Sequence, residues 1–168
     1  DDAENASRLY SGGYRHGEVL DSTDFDVAVD IGSGSGWFSN YLVEKRNYKK
    51  VYAIEPSAAA QEIASKIYSR QDKVERIVGF AEEEISKLKL KTPTLFSTLV
   101  VLAHIRNEVV QKILESVDQV APKGSVLCSL EPWGDEFHHD PSIWHVRPTE
   151  WWQNIMPKWE FSFEKRCE

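Results

Sequence analysis

The stretch Phe25-Asp26-Val27-Ala28-Val29-Asp30-Ile31-Gly32-Ser33-Gly34-Ser35-Gly36 decides the fold. Its first seven residues form a mostly apolar run, its glycines fall at alternate positions, and an amphipathic pattern begins at once behind them. So apolar a run reads as a strand covered on both faces, which belongs in the middle of a parallel sheet. Glycines between a strand and a helix admit positive φ and let backbone N–H groups approach a ligand. The helix N-terminus behind them offers partial positive charge to an anionic group.

Outward from this loop, short apolar runs alternate with longer amphipathic ones. Strands are expected at 25–31, 50–55, 74–79, 95–102, 124–131 and 159–166. Helices are expected at 36–46, 57–70, 82–88, 107–121 and 149–157, with Ser57, Asn107 and Thr149 as N-caps and Pro122 with Gly124 as a stop. The alternation implies an α/β fold, a doubly wound and mostly parallel sheet with helices on both faces. A length of 168 residues fits one domain, 1–168, with an N-terminal segment over 1–24. The long irregular stretch 132–148, PWGDEFHHDPSIWHVRP, draws attention because loops of that length in compact domains tend to be functional lids or disordered.

Composition excludes several classes. With 41% hydrophobic and 28% charged residues the chain is neither disordered nor fibrous. Lys+Arg 20 against Asp+Glu 27 gives a formal charge of -7, which repels phosphate backbones and anionic lipid, so neither nucleic acid nor a membrane is expected as a partner. The basic group Lys45, Arg46, Lys49 and Lys50 falls where a helix ends, a favourable place for cations without any partner. Cys128 and Cys167 give neither a disulfide framework nor metal-ligand spacing, so a reducing cytoplasm is the expected compartment. No apolar stretch approaches the 18 residues or more that span a bilayer, and DDAENASRLY is no signal peptide.

Glycine spacing separates the ligand classes. A dinucleotide loop G-x-G-x-x-G starting at Gly32 needs glycine at position 37, which is Trp37. The pattern is D-x-G-x-G-x-G instead, and an acid beside the loop suits a cationic ammonium better than a pyrophosphate. Glu55 ends the second strand 19 residues beyond Gly36, where a carboxylate can accept hydrogen bonds from both ribose hydroxyls. It also precedes the cap Ser57, where negative charge is favourable in any case.

Together these residues resemble the class I S-adenosylmethionine-dependent methyltransferases. The passages that carry the likeness are VDIGSGSGWFS, AIEPS, VGFAEEE, LVVLAHI and VAPKGSVLCSLEPW. The resemblance implies a Rossmann-like fold and S-adenosyl-L-methionine as cofactor. Gly32, Ser33, Gly34 and Gly36 would wrap its methionine part, with Asp30 near the ammonium. Glu55 would hold the ribose diol and Pro56 would lie against the adenine. Phe80, Ala81, Glu82 and Leu102 complete the implied cofactor set, Phe80 standing where the family most often has an acid. The family sheet usually closes with an antiparallel pair of strands, and here one strand follows the fifth. The final antiparallel strand is then missing or the edge is pared down, and an exposed edge would let a second chain pair there as an edge-strand dimer.

The acceptor is expected to be a small molecule, with HVRPTEWW resembling small methyltransferases that act on sugars or other polar metabolites. The fourth strand leads into Ala103-His104-Ile105 and not the D/N-P-P-aromatic sequence of enzymes that methylate base amino groups. Proton removal from a hydroxyl acceptor suits histidine, whose ordinary pKa is about 6.5. The candidates are His104, His138, His139 and His145. Adjacent histidines on an irregular loop are a poor chelating geometry, so no metal is expected at Glu131, Asp135, His138, His139, Asp140 and His145. Five tryptophans, Trp133, Trp144, Trp151, Trp152 and Trp159, crowd the last 36 residues and suit an acceptor-covering lid. Two other classes stay open: a catalytically silent cofactor-binding or interaction domain, and a nicotinamide-dependent oxidoreductase, which would need a different glycine spacing.

Overall fold

Along Val27-Ala28-Val29-Asp30-Ile31 successive side chains face opposite sides of the sheet, and that alternation sorts the interior into two layers. The coordinates are a computed structural model describing residues 25–68, 72–130, 145 and 147–160. The strands are β1 (Val27–Ile31), β2 (Lys50–Glu55), β3 (Val74–Val78), β4 (Thr94–Leu99) and β5 (Val126–Leu130). The helices are α1 (Trp37–Arg46), α2 (Ala58–Ile67), α3 (Ala81–Glu84), α4 (Asn107–Val120) and α5 (Thr149–Ile155). Every strand pair is parallel, in the order β3-β2-β1-β4-β5.

Ala28 packs with Val51, Ala53 and Leu95 beneath Phe38, Leu42 and Val43 of α1. Val29 and Ile31 pack with Ile54 and Phe96 on the opposite face, beneath Val110, Ile113, Leu114 and Val117 of α4. Those four recur at spacings of three and four, the stripe that turns one side of a helix to a core. Filling both faces leaves β1 no wet side, as its apolar run requires. The chain moves outward from β1 to β2 and β3, then returns to place β4 on the other side of β1. Strand order reverses between β1 and β4, and a crevice opens at their carboxyl ends.

Several boundaries differ from expectation for identifiable reasons. The fourth strand ends at Leu99 and not at 102, because Val100 turns to a φ of 56° and Leu102–His104 winds into a 3-10 turn. A left-handed β-branched residue is costly, and here it marks the rim of the crevice. The fifth strand starts at Val126, since Gly124 has a φ of 87° and the Ser125 hydroxyl closes the turn by donating to the Pro122 carbonyl at 2.7 Å. The second helix stops at Ile67, where Tyr68 is already extended. The expected 82–88 helix is one α turn followed by a 3-10 turn over Ile85–Lys87.

Ser57 caps α2 by accepting the Ala60 N–H at 3.2 Å. Asn107 and Thr149 are instead first helical residues, with Arg106 and Pro148 at the caps. Of the expected strand 159–166 only Trp159 and Glu160 are described, and neither is in a strand; 161–166 lie outside the described residues. Among the described residues no helix is long and apolar enough to cross a membrane.

Candidate functional site

The glycine loop is fastened to the end of β2 by its own backbone. The Gly32 and Ser33 N–H groups both donate to the Ile54 carbonyl, at 2.9 and 3.0 Å, and the Gly36 N–H donates to the Ser33 carbonyl at 2.8 Å. Gly32 has a φ of 70°, and a Cβ there would lie 2.6 Å from Cγ2 of Val101, so no side chain fits between this turn and the residue after β4. Gly36 occupies the N-cap of α1.

Glu55 joins this loop to the next helix. Its Oε2 accepts the Gly34 N–H at 3.0 Å and its Oε1 accepts the Ser57 N–H at 2.9 Å. A carboxylate offers about four acceptor positions. Two therefore remain after both backbone bonds, enough for two hydroxyls of a ligand. The helix-entry role and the ligand-facing role of Glu55 are compatible in one side chain.

Between the carboxyl edges of β1, β2 and β4 lies a cavity of about 480 Å³, the size of a small-molecule site. Gly32, Glu55, Pro56, Phe80, Ala81, Glu82 and His104 line it, so residues spread over the chain from 32 to 104 meet at one place. Ile31, Ile54, Val100, Val101, Ile105, Val109 and Ile113 complete the wall. Carboxylates at Glu55 and Glu82 and the imidazole of His104 are its ionisable groups. Phe80 is 58% exposed at the rim, with apolar surface available to a planar ligand.

Asp30 lies under the loop. It is buried, and its carboxylate faces α1 and β4: Oδ2 accepts from the Ser39 hydroxyl at 2.6 Å and Oδ1 from Ser97 at 3.4 Å. Burial pushes its pKa up to about 6, against the pull of those hydroxyls, and the neighbouring Glu55 charge adds to the rise. Ser33 is also buried, with its hydroxyl 3.4 Å from Nε2 of Gln61. Leu102 does not line the cavity: it is fully buried in the α4-side core, and Val100 and Val101 form the wall in its place. The left-handed turn at Val100 causes this exchange, since it ends the strand before Leu102.

Of the other histidines, His145 is half-buried outside the cavity wall, and its N–H donates to the Ala103 carbonyl at 2.7 Å, next to His104. His138 and His139 lie outside the described residues, as does most of the loop 132–148. Two structural residues escaped the sequence. Gln61, buried in α2, donates to the Ala53 carbonyl at 2.8 Å and ties that helix to β2. Arg147 is buried and holds the turn after β4; a lone arginine in a loop gave no sign of it.

A family model described as a methyltransferase domain matches residues 19–163. The chain belongs to the S-adenosylmethionine-dependent methyltransferase family. An uncharacterized RNA methyltransferase of Clostridium acetobutylicum is 34% identical over 128 residues, 74% of this chain and 26% of that protein. The chain thus spans about a quarter of that relative's length. A SAM-dependent methyltransferase from Archaeoglobus fulgidus superimposes with a TM-score of 0.66 at 14% identity, covering 92% of this chain and 72% of that one. Human N-acetylserotonin methyltransferase in complex with SAM gives 0.66 at 15% identity, covering 97% and 51%. These structures share the methyltransferase fold, an α/β sheet doubly wound as expected.

Proposed function

We propose that this methyltransferase domain binds S-adenosylmethionine in the cavity between β1, β2 and β4 and methylates a small polar acceptor, a hydroxyl on a saccharide-like molecule. The observation that carries the reading is Glu55, fixed by the Gly34 and Ser57 N–H groups with acceptor positions to spare on the cavity wall. In this reading Glu55 receives the ribose hydroxyls, Pro56 and Phe80 hold the adenine between apolar surfaces, Ala81 and Glu82 meet its edge, and the loop from Gly32 to Gly36 surrounds the amino-acid end. Asp30 acts on that end from beneath the loop. When bound, the cofactor supplies a methyl group activated by a sulfonium. The chain's own contribution is then to orient the acceptor, exclude water and receive a proton. His104, exposed on the cavity wall, takes the proton in this reading, with His145, whose backbone N–H bonds the Ala103 carbonyl, and His138 and His139 as further candidates.

A small acceptor is favoured by the charge of -7 and by Ala103-His104-Ile105 after the fourth strand. The name of the Clostridium relative favours RNA, a reading that draws on a match to 26% of that protein. Labelled S-adenosylmethionine offered with sugar and small-metabolite pools in one arm and total RNA in the other separates the two. Label in the metabolite fraction is expected. Label in RNA alone overturns the acceptor, and calorimetric binding of NAD with no response to S-adenosylmethionine overturns the cofactor.

A further inference from the structure

Arg147 is 5% exposed, and its guanidinium spans two stretches of chain far apart in sequence. Nη1 donates to the Leu102 carbonyl at 2.8 Å and the His145 carbonyl at 3.1 Å, Nε donates to Oδ1 of Asn107 at 2.9 Å, and Nη2 donates to the Ile105 carbonyl. Its centre lies 5.0 Å from the ring of Trp151 and 6.0 Å from that of Trp152, both in α5. The Leu102 and Ile105 carbonyls it takes belong to the turn whose His104 and Ile105 line the cavity. On the other side, Trp151, Trp152 and Ile155 pack against the α4-side core. No other side chain in the 20-letter set can make this arrangement, because it needs a planar fork with donors on three sides and a face for aromatic rings.

We infer that Arg147 is a positioning residue that couples filling of the cavity to the placement of α5. The inference rests on the cavity being the cofactor site. A ligand that settles against His104 and Ile105 restrains the 102–107 turn. The turn cannot shift without drawing the guanidinium across Trp151 and Trp152, so restraint on one side restrains the other. Such coupling is reciprocal: an ordered α5 presents a cavity wall already in place.

Amide hydrogen exchange on the full chain, with and without S-adenosylhomocysteine, tests this. In the wild type the ligand is expected to slow exchange at Gly34, whose N–H bonds the cavity-lining Glu55, and at Gly79–Glu82, of which Phe80, Ala81 and Glu82 line the cavity, and also at Trp151–Met156, which do not line it. The slowing at α5 should reach about fivefold or more, the lower end of ordinary coupling between sites. In Arg147→Met protection at Gly34 and Gly79–Glu82 should persist while the ligand-dependent part at α5 disappears. Arg147→Lys keeps the charge without the fork and should behave in the same way, which covers the case in which the methionine variant does not fold. A merely structural arginine would raise exchange at α5 equally with and without ligand. An α5 indifferent to ligand in the wild type, or protected by it as strongly in the variants, overturns the coupling alone. Absence of protection at Gly34 and Gly79–Glu82 in the wild type overturns the cofactor reading and the coupling with it.

Discussion

Asp30 is 2% exposed, and its titration should be legible in the stability of the whole chain. Burial raises its pKa from 3.8 to about 6, so between those values the folded protein holds a proton that the unfolded chain has released. Stability from this group is therefore full below about pH 4 and is lost as pH rises through about 6, a span worth about 3 kcal/mol. Asp30→Asn removes the charge and keeps an oxygen acceptor. It should be about 1–3 kcal/mol more stable than the wild type at pH 8 and nearly equal to it at pH 4, as read by urea unfolding at both values. Equal stability of the two proteins at pH 8 would place the Asp30 pKa near the ordinary carboxylate range. Glu55 makes the opposite case, a carboxylate at the site's surface. Glu55→Ala should weaken S-adenosylhomocysteine binding about ten- to hundredfold by calorimetry, the effect of losing hydrogen bonds to a charged group. An unchanged affinity would leave Glu55 only its bonds to the Gly34 and Ser57 N–H groups.

The glycine loop concentrates its constraints unevenly among its members. Gly32 and Gly34 both have positive φ, at 70° and 52°, but only Gly32 is closed in, by Val101; around a Cβ at Gly34 nothing comes within 4 Å. Gly34→Ala should therefore cost about 1–2 kcal/mol of stability, the left-handed penalty alone. Gly32→Ala adds an overlap at 2.6 Å and should cost about 1–3 kcal/mol more, measured side by side by denaturant unfolding. Equal costs would mean that Val101 yields without strain. The loop's place between β1 and α1 was legible in the sequence because its spacing is set locally, by residues that follow one another. The end of β4 was not. Leu95 to Leu102 is an unbroken run except for Ser97 and Thr98, and nothing in an apolar run marks a valine that will turn left-handed. Asn107 was misread for a related reason: its side chain suits a cap, but Arg147, 40 residues on, takes its oxygen. Contacts of that sequence separation leave no periodicity to read.

Across the whole molecule the sheet order β3-β2-β1-β4-β5 explains why the sequence announced the cofactor half of the site better than the acceptor half. The loop after β1, Glu55 at the end of β2 and Phe80 to Glu82 after β3 each follow a recognisable strand, so their meeting at one sheet edge follows from the alternation. For the proposed acceptor side the sequence offers only the stretch 132–148, which has composition without period. A ligand that fills the cavity touches Gly32 on β1's loop, Glu55 after β2, Ala81 in α3, and Val101 and His104 after β4, so it bridges elements that must separate on unfolding. Binding to the folded state alone then adds free energy by mass action, about 2.7 kcal/mol at a ligand concentration of 100 Kd. For a chain of this size each kcal/mol moves the unfolding midpoint by about 2–4 °C, so S-adenosylhomocysteine at that concentration should raise Tm by about 5–10 °C. NAD at the same concentration should leave it unchanged, because position 37 is tryptophan where a dinucleotide loop requires glycine. Scanning calorimetry of the chain alone, with S-adenosylhomocysteine and with NAD reads all three states in one series. A rise with NAD equal to that with S-adenosylhomocysteine would mean that the cavity recognises the adenosine the two ligands share and not the amino-acid end that the glycine spacing selects.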